Sequence, residues 1–179
     1  MRLYCTYSFH SERVKVETDR SLTLEDLALL GRAIVLAGGT VALARFSGAR
    51  GTVQEFEAIV AEADALRRDY PENPAIWNLP IDEMQREATS IGRDYDVDPT
   101  QSTYQDFKMS ALNRLSQANE VIARKLSPAD AAAYREGVVR ICERVASERS
   151  EGGFLGIGAT PVDYRESAAI EEIRRVLNI

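Results

Sequence analysis

Apolar residues recur every three or four positions through most of this chain, and every second position only near its start. Leu3, Cys5, Tyr7 and Phe9 share one parity, Val14 and Val16 make a second short run, and the turn-like His10-Ser11-Glu12-Arg13 lies between them. That alternation predicts an extended arm or β-hairpin over residues 1–20. A lone hairpin is only marginally stable in water, so the arm needs a surface: the rest of the chain or a second subunit.

From Thr23 onward the period is helical. Thr23 and Asp26 are spaced as N-cap and N3, predicting a first helix that runs to about Arg45. Gly38-Gly39 predicts either a kink in it or the close approach of a neighbouring helix. After the loop FSGARG, Thr52 and Glu55 read as a second capping box, ahead of Phe56, Ile59, Val60, Ala63 and Leu66 at helical spacing. Pro71 and Pro74 end that helix. Residues 75–93 are helical in content but interrupted by Pro80, so two short helices or one with a break are expected, with Trp77 and Ile81 as core anchors. The clearest amphipathic stripe is Tyr104, Phe107, Ala111, Leu115, Ala118, Ile122 and Leu126. Ser127, Pro128 and Asp130 supply N-cap, N1 and N3 of the next helix, whose stripe is Tyr134, Val138, Ile141, Cys142 and Val145. Asp163 and Glu166 open the last helix, with Ile170, Ile173, Val176 and Leu177 facing inward. The pattern predicts an all-α fold: a single-domain helical bundle of six to seven helices over residues 21–179, preceded by the extended arm or β-hairpin.

The two ends of the chain resemble each other. In each, a helix enters a glycine-containing loop and leaves through a cap followed three residues later by glutamate. Thr52/Glu55 match Asp163/Glu166, and Ile59 matches Ile170. This suggests two related helical hairpins around a shared core.

Composition narrows the function classes. The chain has 179 residues, enough for one domain with a real core, and its apolar and charged fractions, 45% and 28%, are those of a soluble globular protein. A net charge of -6 argues against nucleic-acid binding and against charge-driven membrane contact. The start of the chain does not read as a secretory signal, and the apolar run Leu27–Leu43 reads as a buried central helix. Cys5 and Cys142 form no CxxC or Cys/His cluster, and Cys142 is expected to be a buried apolar residue. His10 is the sole histidine, so the chain offers no Glu-x-x-His pairs for a di-iron site and no second imidazole for catalysis. Nothing here points to an enzyme or a cofactor.

Two motifs remain. Asp94, Asp96 and Asp98 imitate the first half of an EF-hand loop, but Pro99 replaces the glycine and Gln105 the bidentate glutamate. They are weak metal-ligand candidates beside the simpler reading of a solvated acidic linker. The stretch Gly152-Gly153-Phe154-Leu155-Gly156-Ile157-Gly158 follows a helix rather than a strand and lacks the P-loop lysine, so it is no phosphate cradle. Its apolar residues either fold back to plug the end of the bundle or form an exposed tip. On the second reading Phe154, Leu155 and Ile157 are the partner-binding residues.

The stretches LAGGTVALARFSGARGTVQE and YPENPAIW, and AAAYREGVVRICERVASERSEGGFLGIG followed by V-D-x-x-E, resemble a group of small bacterial helical proteins of unassigned function. Those carry a GGFLGFGG-type loop before a final helix, and the group in turn resembles the tellurite-resistance TerB-like fold. The resemblance runs from Thr23 to Ile179. It implies a helical fold and, at one remove, a divalent-metal-responsive module. TerB proteins place an acidic Asp-Gly turn where this chain has Arg45 and residues 147–151. The expected function is therefore a non-enzymatic, cytoplasmic interaction or accessory protein for stress or assembly, acting on itself or on an unknown protein partner.

Overall fold

Thr23 starts the fold as its spacing to Asp26 predicts. In the computed structural model, which describes residues 21–46, 48–95, 99–151 and 163–179, helix α1 spans Leu24–Ala44 with a complete capping box. Asp26 N donates to Thr23 Oγ1 (3.1 Å), and Thr23 N donates back to Asp26 Oδ2 (2.7 Å). The helices that follow are α2 (Ala49–Asp69), α3 (Pro74–Trp77), α4 (Ile81–Asp94), α5 (Gln101–Lys125), α6 (Pro128–Glu151) and α7 (Tyr164–Leu177). Among the described residues there are seven helices and no strand. The predicted arm or hairpin over 1–20, with Cys5 and His10, lies outside the described residues, as does the glycine stretch 152–158.

The arrangement is organised around α1, which packs against α2, α4, α5, α6 and α7. Every residue from Ala33 to Ala44 is buried. Helix α1 is long and apolar enough to cross a membrane, but 78% of its most apolar window is buried against the rest of the protein, as for a core helix apolar on all sides. Gly38 and Gly39 do not break it. A Cβ on Gly38 would stand 2.7 Å from Cδ1 and Cγ1 of Ile59, and one on Gly39 would stand 2.9 Å from the Phe56 ring. Of the two readings of this pair, the close approach of α2 is the one realised.

Three expectations need correction or refinement. Thr52 does not cap α2. Gly48 does, with φ +84°, a left-handed conformation costly for residues with a Cβ. The helix thus starts a turn earlier, Thr52 N donates to Gly48 O (3.0 Å), and Thr52 and Glu55 are buried inside it. Trp77 is not a core anchor: it is 46% exposed. Helix α3 is a single turn whose inward positions are filled by Ala75 and Ile76, leaving the indole under the guanidinium of Arg67, 5.4 Å away. The paired ends of the chain correspond in packing but not in capping. Ile59 and Ile170, and Glu55 and Glu166, are all buried, and α1 and α6 pack on each other and on each other's following helix. Yet Gly48 starts one second helix and Asp163, in a capping box with Glu166, starts the other.

The remaining helices match the pattern. Pro80 separates α3 from α4, and Ile81 is partly buried against the core. Ala111, Leu115, Ala118 and Ile122 of α5 are buried, as are Tyr134, Val138, Ile141, Cys142 and Val145 of α6. Burial pushes the Cys142 thiol up to about 12, so it is held protonated and inert.

Candidate functional site

Three polar junctions fix one end of the bundle. At the first, Lys125, closing α5, donates from Nζ to Asp26 Oδ2 (2.6 Å) and to the carbonyl of Ser21 (3.0 Å), tying the entry of the chain to a helix about a hundred residues away. At the second, Asn73 caps α3 by accepting from the amides of Ala75 (3.0 Å) and Ile76 (3.1 Å), while its Nδ2 donates to Asp130 O (3.0 Å) at the start of α6. Asn73 is itself buried. At the third, Tyr134 Oη donates to Leu30 O (2.9 Å), joining α6 to α1 inside the core.

Between these junctions lies an open groove of about 500 Å³. Leu22 and Leu27 from the start of α1, Pro74 and Asn78 from the α3 region, and Leu126 and Ser127 from the α5–α6 corner form its walls. On the same elements, though not among the residues that line it, Leu24 is 87% exposed and Trp77 half exposed. A partly apolar groove set on fixed backbone is the physical form of a docking surface. Because the junctions are already made, little ordering cost remains for whatever binds.

The electrostatics of the first junction give a testable property. Partial burial of Asp26 acts to raise its carboxyl pKa. The hydrogen bonds from Lys125 and Thr23, with the charge of Lys125, outweigh that and hold it below the usual carboxylate range. A depressed folded-state pKa contributes stability above the unfolded value of about 4, lost as pH falls through the folded one. Asp26→Asn should therefore melt below the wild type at neutral pH, and the gap should close below about pH 4. Parallel melting curves at every pH would contradict the junction.

A second cleft, about 330 Å³, lies between α5 and α7, where Tyr104, Lys108, Tyr164 and Glu172 meet. Its charged groups serve each other: Lys108 Nζ stands 3.0 Å from Glu172 Oε1 and 5.8 Å from the Tyr104 ring centre. Burial, then the charge of Glu172, pushes the Tyr104 phenol up to about 12.

Of the residues singled out in the sequence, Asp94 is the exposed last residue of α4. Asp96 and Asp98 lie outside the described residues, and so do Phe154, Leu155 and Ile157. Among the described residues no group of three or more His, Cys, Asp or Glu is placed to hold a metal ion. The groove itself escaped sequence reading. Leu22 and Leu27 near a helix start and Leu126 before a Ser-Pro cap are its local traces, and nothing in the sequence says that they meet.

The fold and the groove together define an all-α helical bundle with an open, partly apolar cleft at the start of its central helix. Compared with protein-family models, curated proteins and solved structures, the chain matches none.

Proposed function

We propose that this protein is a non-enzymatic, cytoplasmic interaction module, an accessory that works by contact with a protein partner or with a second copy of itself. The observation that carries the reading is the open groove with Leu22, Leu27, Pro74 and Leu126 among its walls, on elements that also expose Leu24 and half expose Trp77. Scattered exposed apolar residues are ordinary, but their occurrence on the elements that build a preformed groove supports a contact surface. The stretch holding Phe154, Leu155 and Ile157 is a second candidate surface, resting on sequence alone.

The test is a Leu24→Ser, Trp77→Ser double variant. Neither side chain is buried, so its melting temperature should stay within about 4 °C of wild type. Complexes seen for the wild type by sedimentation, alone or with a co-purifying protein, should weaken at least about tenfold, the loss expected when interface anchors are removed. Complexes formed equally well by both proteins would sink the assignment of this surface.

A further inference from the structure

The groove lies where the described part of the chain begins. Ser21, the first described residue, is one of its walls, and its carbonyl is held by Lys125 Nζ at 3.0 Å. Leu22, next along, packs partly buried against the core. The chain therefore enters the fold at the mouth of the groove and is pinned there. Twenty residues precede that point, and their apolar positions alternate: Leu3, Cys5, Tyr7 and Phe9, then Val14 and Val16. A segment of that kind buries one row of side chains only when laid against an apolar surface. The groove, with Ser21 in its wall, offers Leu22, Leu27, Pro74 and Leu126 for that purpose, and a covalent tether raises the segment's local concentration there to about the millimolar range.

We propose that the groove between the start of α1, α3 and the α5–α6 corner is the docking site for the chain's own first twenty residues, bound in cis. This rests on reading the groove as a docking surface and names its first occupant.

Cysteine chemistry supplies the test in the full-length protein. Cys5 is a natural probe in the segment, and Cys142 does not compete, being buried and protonated. Asn78→Cys and Ser127→Cys each place a thiol at the groove edge. Gln85→Cys places one on the outer face of α4, which lines no part of the groove. Fifteen residues separate Cys5 from Ser21, a reach of up to roughly 50 Å, so tether length favours none of the three. Oxidised glutathione is the oxidant, each new disulfide converting one molecule of it to two of reduced glutathione.

The expected result is an intramolecular bond from Cys5 to position 78 or 127 that forms at least about tenfold faster than to position 85. Adding Tyr7→Asp and Phe9→Asp should bring that rate down to the control. Equal rates at groove and control positions would overturn the proposal. Disulfide-linked dimers in place of intramolecular bonds would also overturn it, while leaving the groove a docking surface for a second copy. The sedimentation test on Leu24 and Trp77 separately decides whether the surface binds other chains.

Discussion

Gly39→Val should lower the melting temperature by roughly 2–12 °C, corresponding to about 1–3 kcal/mol of overpacking. The first carbon added at Gly39 would meet Cε1 and Cζ of Phe56 at 2.9 Å and Cζ of Phe107 at 3.1 Å. Neither ring is free to yield. Phe56 is fully buried, and Phe107 packs edge-on against Tyr95 with centroids 5.6 Å apart. A branched side chain adds two more methyl groups to that clash. The contrast is Gly92→Ala, on α4. A Cβ there would stand 3.7 Å from the nearest atom of the same Phe56 ring, an ordinary contact. Removing a helix-interior glycine should then stabilise by about 0.5–1 kcal/mol. Thermal melts of the two variants should move in opposite directions from wild type. A Gly39→Val protein as stable as wild type would mean that α1 and α2 are not in close contact.

Tyr134→Ala should be the most damaging single change described here, costing about 3–5 kcal/mol. The side chain is among the largest fully buried ones, and its hydroxyl reaches Leu30 O across the α1–α6 contact. Burial also pushes its phenol pKa well above the ordinary value, so only the neutral, hydrogen-bonding form is present at neutral pH. Tyr134→Phe keeps the ring and loses only the hydrogen bond, for about 0.5–1.5 kcal/mol. Denaturant unfolding should rank wild type above Tyr134→Phe, with Tyr134→Ala well below both. Equal losses for the two variants would show that packing of the ring contributes nothing. As globular proteins hold only about 5–15 kcal/mol in total, the alanine variant should be close to unfolding at physiological temperature.

Local chemistry explains which helices were legible. Thr23/Asp26, Ser127/Asp130 and Asp163/Glu166 each satisfy orphan amides within one turn, so their spacing alone locates a helix start. The α6 stripe faces inward as written, because apolar residues spaced at a 3.6-residue period line up on one face of the helix. Thr52/Glu55 carried the same spacing and misled. A capping box and an interior Thr-x-x-Glu are identical in sequence, and a glycine four residues upstream decided between them by adopting φ +84°. Trp77 misled for a related reason. Its size argues for burial, but a one-turn helix has room to turn only Ala75 and Ile76 inward.

The helical class of the described residues, most helix limits and the inward faces of α5, α6 and α7 were legible in the sequence alone, because caps and periodicity are short-range properties. Only the tertiary structure decided that Gly38 and Gly39 admit Ile59 and Phe56, that Trp77 stays half exposed, and that Ser21, Pro74 and Leu126 surround one groove. Those facts depend on contacts between residues tens to a hundred positions apart. No local pattern encodes them, because each helix would form the same caps and present the same stripe whichever neighbour it met.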